Sequence, residues 1–119
     1  MDPEGLKQRT KAFAVRAVKT TEALPKKRAA DIIARQVIRS ATAVGVNYRA
    51  TCRARSHREF TAKIGVVAEE ADETLYWLEI LIETGLMEEA RLKDLIQETN
   101  ELTAIFTASS HTARKNRGK

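Results

Sequence analysis

The chain has one cysteine, two prolines and five glycines in 119 residues. A lone Cys52 excludes an internal disulfide and any cysteine-based metal site built within one chain. Both prolines, Pro3 and Pro25, lie near the start, so few breakers interrupt the rest. No apolar run approaches the roughly 18 residues that mark a membrane span. The stretch from Met1 to Lys11 is too polar for the apolar segment of a secretory leader. A cytoplasmic protein with no membrane partner is the expectation. Histidine is scarce as well: neither His57 nor His111 follows a Glu or Asp by three positions, the spacing with which metal-binding bundles present inward ligands. Glycine-rich phosphate loops, G-x-S-x-G elbows and nucleotide fingerprints are missing. No catalytic residue, metal or cofactor is expected, and the chain reads as non-enzymatic.

What remains is a helix-forming composition, rich in Ala, Leu, Glu, Lys and Arg, in a chain the size of one domain. Four amphipathic segments are legible. The first spans about 6–24, with Leu6, Phe13, Ala17 and Leu24 on one face, and Pro25 closes it. The second spans about 28–54 and buries Ile33, Val37, Ala41, Val44 and Tyr48; Gly45 sits inside it, a position that a tight helix crossing would explain. Ser56 and Glu59 form an S-x-x-E capping signature that starts the third, which runs to about 84 on Phe60, Ile64, Val67, Ala71, Leu75, Leu78 and Ile82. Gly85 is the predicted stop. The fourth spans about 88–112, with Leu92, Leu95, Ile96, Leu102 and Phe106 inward. Short connections predict an antiparallel, up-down-up-down four-helix bundle over residues 1–112, all-α, followed by a disordered basic tail over 113–119.

Charge is distributed unevenly. Residues 1–58 carry 14 Lys and Arg against 4 Asp and Glu, whereas residues 59–108 carry 3 against 12. On the second helix, Arg28, Arg35, Arg39, Arg49 and Arg53 fall within about 40° of one line opposite the core face, a ridge about 37 Å long. Guanidinium forks suit phosphate, so such a ridge fits a nucleic-acid backbone. A solvated face carries the same pattern. Lys26, Lys27, Arg55 and Arg58 extend the charge at the two ends, and Arg114, Lys115 and Arg117 add to it in the tail. No motif that reads base edges is present, so binding without strong sequence specificity is the expectation, with RNA favoured.

The third helix carries the opposite charge on its outer side: Glu69, Asp72, Glu73, Glu79 and Glu83, with Tyr76 and Ile80 among them and Trp77 at the edge. These acids face away from the core, which argues for pairing with arginines of the second helix in the same or a neighbouring chain. Arg39 or Arg49 is expected to meet Glu69, Asp72 or Glu73, and a partly buried pair of that kind costs about 3–5 kcal/mol when one partner is removed. Apolar Val46, Tyr76, Trp77 and Ile80 on charged faces point to a protein interface, and Arg53 belongs to the same surface. Cys52, on the flank of the core face, reads as a buried structural thiol.

The segment from Arg39 to Leu81 also carries a specific signature. It combines Arg39-Ser40 with Gly45-Val46-Asn47-Tyr48-Arg49, and then Glu70-Ala71-Asp72-Glu73-Thr74-Leu75-Tyr76-Trp77-Leu78. This combination closely resembles the four-helix-bundle proteins of the 23S ribosomal RNA intervening-sequence family, and the resemblance extends to Asn100-Glu101-Leu102. The family consists of small bacterial proteins. The resemblance implies an up-down bundle that assembles into a homopentamer, with no established catalytic activity. It also implies a structural kinship with accessory proteins of diversity-generating retroelements, so a role as adaptor to a reverse transcriptase is the alternative to nucleic-acid binding. Val46 departs from the family pattern, in which a small residue stands between Gly45 and Asn47.

Overall fold

The computed structural model describes residues 2–116. Helix α1 spans Pro3–Thr21, α2 Arg28–Cys52, α3 His57–Glu83 and α4 Glu89–Lys115. The order of the elements follows the hydrophobic periodicity, and the ends follow local chemistry. Asp2 caps α1 by accepting from the Gly5 N–H at 2.6 Å, with Pro3 in the first turn, so the helix starts before Leu6. Ser56 accepts from the Glu59 N–H at 3.0 Å and opens α3. Gly85, at φ 74°, stops it; the Gly85 N–H bonds the Ile82 carbonyl and the Met87 N–H bonds the Leu81 carbonyl. Residues 113–115, expected in a disordered basic tail, belong to α4, and residues 117–119 of that expected tail lie outside the described residues. Helix α4 continues to Lys115, Ala113 is buried, and its carbonyl is held by His57 Nε2 at 2.8 Å.

The helices form an antiparallel bundle, 51 × 23 × 22 Å overall. Each packs on the next in sequence, α1 on α2, α2 on α3 and α3 on α4, and a thinner seam between α1 and α4 closes the circuit. The core lines the axis with Phe13, Val37, Val44, Ile64, Leu78, Leu92, Leu102 and Phe106, and the Tyr48 ring packs tilted at 46° against Phe106, with the centroids 5.3 Å apart. Helix α3 is rotated slightly from the predicted stripe: Thr74 and Leu81 are buried, whereas Leu75 and Ile82 are only half-buried. Burying Thr74 is possible because its hydroxyl donates to Ser40 on α2 at 2.8 Å, inside the core. Other buried hydroxyls, Thr10, Thr51 and Thr99, bond carbonyls one turn back in their own helices. Among the described residues no buried side-chain polar atom lacks a partner, which is the condition for polar groups to sit in such a core without a large penalty.

Gly45 faces Thr10 at the α1–α2 crossing, where a Cβ would lie 3.4 Å from the Thr10 hydroxyl oxygen. A Cβ there would make ordinary van der Waals contact, so the crossing is close without demanding a glycine. Its neighbour Val46 is 66% exposed, so the departure from the family pattern at that position does not touch the core.

Candidate nucleic-acid interface

The up-down course of the chain separates the basic residues into two groups. The α1–α2 connection brings Lys26, Lys27 and Arg28 to one end, with Arg35 two turns further along α2. The α2–α3 connection lies at the other end and holds Arg53 and Arg55, with Arg58 in the first turn of α3. His57 bonds the last turn of α4 there, which brings Arg114 and Lys115 to the same end. All of these side chains are exposed. Helix α2, at about 1.5 Å per residue, sets Arg28 about 37 Å and Arg35 about 27 Å from Arg53. Arg117 lies outside the described residues.

The ridge along α2 is present, with Arg28, Arg35, Arg39, Arg49 and Arg53 all exposed. Its electrostatic use is uneven. Arg39 donates through Nη1 to both oxygens of Glu70, at 3.3 and 3.4 Å, and through Nη2 to Glu73. Glu73 also accepts from Trp77 Nε1 at 3.1 Å. These bonds hold the Glu73 carboxyl below the usual carboxylate range, the Arg39 hydrogen bond first and the Trp77 bond after it. Glu70 is a partner that sequence pattern missed, because it lies on the boundary between the core stripe and the acidic side. The Arg39 side chain is 48% exposed, too open for the large cost expected of a partly buried pair. Among the described residues, Arg49 and Arg53 meet no carboxylate within 4 Å, and neither Glu69 nor Asp72 joins an ion pair.

The apolar residues expected at an interface divide as well. Tyr76 is 54% exposed, with its ring edge-on to Trp77 at 5.0 Å. Trp77 and Ile80 are half-buried against the core, so the sequence pattern placed them too far out. Val46 lines a groove of about 500 Å³ between α1 and α2, together with Lys7, Lys11, Thr42 and Arg49. Cys52 is exposed rather than buried. It sits in the last turn of α2, one turn beyond Tyr48, whose phenol is pushed up chiefly by burial and then by the adjacent thiol.

A second ion cluster was not legible in the sequence. Arg9 on α1 forks onto Glu98 of α4, at 2.9 and 2.7 Å, and reaches Glu101 at 2.9 Å. The partners stand 89 and 92 residues away, and no local pattern pairs them. Among the described residues no group of three His, Cys, Asp or Glu side chains converges as a metal site. Among the described residues no helix is long and apolar enough to cross a membrane.

With this geometry in place, comparisons with known proteins agree on one lineage. A family model described as 23S rRNA-intervening sequence protein matches residues 5–108. Among solved structures, the fold is similar to a crystal structure of a protein with unknown function from the S23 ribosomal protein family of Bacteroides thetaiotaomicron VPI-5482. The two share 29% identity at a TM-score of 0.80, over 87% of this chain and 96% of the other. No curated protein matches.

Proposed function

The chain belongs to the 23S rRNA-intervening sequence protein family, and from that premise we propose that it is a non-enzymatic, oligomeric protein that binds RNA through phosphate contacts. The observation that carries this reading is the unspent positive charge. Arg28, Arg35, Arg49, Arg53, Arg55 and Arg58 are exposed, and none is neutralised by a carboxylate among the described residues. The acidic side of α3 competes for the ridge only at Arg39. Four of them, Arg28, Arg35, Arg49 and Arg58, stand on helices and Arg53 and Arg55 in the short connection between α2 and α3, and unpaired guanidinium forks so placed suit the phosphates of a polyanion. No groove-reading element accompanies them, so DNA of similar charge density competes.

Oligomerisation belongs to the same proposal. Val46 and Tyr76 are large apolar side chains set in charged, exposed faces, which a second copy of the chain would cover. Five subunits is the number the family resemblance suggests, and repetition of weak phosphate contacts around a ring would raise avidity. Binding of an RNA hairpin and a DNA duplex is measured over a range of salt, alongside light scattering. Affinity should fall steeply with salt, with about 0.7–0.9 in slope for each neutralised phosphate. An assembly that binds neither at low salt removes the reading and leaves a protein partner, such as a reverse transcriptase, as the function of the basic face. A monomer at micromolar concentration removes the oligomer.

A further inference from the structure

The two ends of the bundle are electrostatically different, although the sequence places basic clusters at both. The end that holds the α2–α3 connection is built from residues 2–11, 46–65 and 106–116, which carry 10 Lys and Arg against 3 Asp and Glu. The opposite end, residues 15–35 and 76–95, carries 8 against 7, because Glu79 and Glu83 near the end of α3 and Glu88 and Glu89 at the start of α4 share that end with the Lys26–Arg28 cluster. Between them, Glu69, Glu70, Asp72 and Glu73 on α3 make the middle of the bundle acidic, and Glu98 and Glu101 on α4 neutralise Arg9, one of the ten cations counted at the basic end.

From this arrangement we infer that nucleic acid docks on the α2–α3 end of the bundle, with its phosphate backbone against Arg49, Arg53, Arg55, Arg58, Arg114 and Lys115. The inference rests on the RNA-binding reading and narrows it to one surface. Two features make this surface a unit. His57, within the α2–α3 corner, holds the Ala113 carbonyl at 2.8 Å, so the last turn of α4 cannot drift from the arginines of the corner. Of the three acids at this end, Asp2 caps α1 and Glu4 pairs with Lys7 at 3.8 Å, which leaves Glu59, in the first turn of α3, as the one carboxylate set among the arginines. Like-charge crowding of this kind destabilises an isolated fold and is relieved by a polyanion. At the other end, the carboxylates of Glu79, Glu83, Glu88 and Glu89 offset the charge of Lys26, Lys27 and Arg28 at low salt, where a Debye length of about 30 Å exceeds the 22–23 Å width of the bundle.

Two variants with the same change in net charge separate location from overall charge. Arg55→Glu with Arg58→Glu reverses the proposed surface. Both side chains are exposed, and an acid at position 58 lies in the first turn of α3, where the helix favours it. Lys26→Glu with Lys27→Glu reverses the opposite end, in the exposed α1–α2 connection. Binding of a fluorescent RNA hairpin is measured from low to moderate salt, with circular dichroism to check folding. The first variant should lose affinity by tenfold or more at low salt, and its salt slope should fall by about 1.4–1.8, the value of two phosphate contacts. The second should change less than threefold. Equal losses, or a larger loss in the second, overturn the placement while leaving RNA binding intact. Wild-type protein that binds no RNA overturns both. A dye on Cys52, the sole thiol and exposed beside Arg53, supplies a test that needs no charge variant. Saturating RNA should shield it from iodide, and unchanged quenching overturns the placement.

Discussion

Arg9 and Arg39 make similar lists of bonds in different surroundings. Arg39 joins α2 to α3, where the two helices already share an extensive apolar seam and the Ser40–Thr74 hydrogen bond. Its guanidinium is nearly half exposed, and Glu73 is 39% exposed. Arg9 joins α1 to α4, the thinnest seam of the bundle. Its side chain is 23% exposed and that of Glu98 17%, and the pair is a two-pronged fork. An ion pair contributes most where its geometry is fixed and water is partly excluded, and little where both groups keep their hydration. The cluster nearer the conspicuous arginine ridge is therefore the weaker one for stability, and the inconspicuous Arg9 holds the bundle closed.

The largest expected effect follows from that contrast. Arg9→Ala leaves the Glu98 carboxylate half-buried without a partner, which costs about 2 kcal/mol, between the values for exposed and fully buried pairs. For a chain of this size that lowers the melting temperature by about 8 °C. Arg39→Ala should cost no more than about 1 kcal/mol, since both partners regain water. Thermal unfolding of the two variants side by side checks the order. An Arg39→Ala loss equal to or greater than that of Arg9→Ala breaks the comparison, and would assign Arg39 a role in subunit contact that the single chain does not contain.

The same contrast explains what a linear reading could and could not reach. Helix faces repeat every few residues, so the core positions Ile33, Val37, Ala41, Val44 and Tyr48 were all legible, as was the Ser56–Glu59 cap. The rotation of α3 was not, because burying Thr74 requires knowing that Ser40 of another helix stands opposite it. Cys52 was misplaced for a related reason. It stands on the flank of the core face, and the last turn of α2 buries Thr51 instead and leaves Cys52 to solvent. Arg9 with Glu98, and the gathering of Arg58 with Arg114 through His57, join segments remote in sequence and depend on topology. The charge asymmetry of the two ends belongs to the same class: the counts are in the sequence, but which counts share an end is decided by the fold.

The smallest effect is the most local, and it reads the Arg39 cluster directly. An unperturbed glutamate titrates near about 4.3. Glu73 is held lower in the folded chain by its hydrogen bond from Arg39, with Trp77 adding to it. A carboxylate with a depressed folded value contributes its stabilisation fully above the unfolded value, and loses it as pH falls through the folded one. The difference in melting temperature between the wild type and Arg39→Ala should therefore stay constant from neutral pH to about pH 5, and close below the unfolded value of about 4.3. Trp77, the only tryptophan, reports the event itself, because its Nε1 donates to the titrating carboxylate. Its emission should shift with a midpoint below the ordinary glutamate range, and Glu73→Gln should abolish the transition. In Arg39→Ala the midpoint should rise toward the unperturbed value. A midpoint that stays in place there would mean that the Trp77 bond, and not the guanidinium, holds the carboxylate, and the open ion pair would be reduced to a surface contact with no measurable hold on either partner.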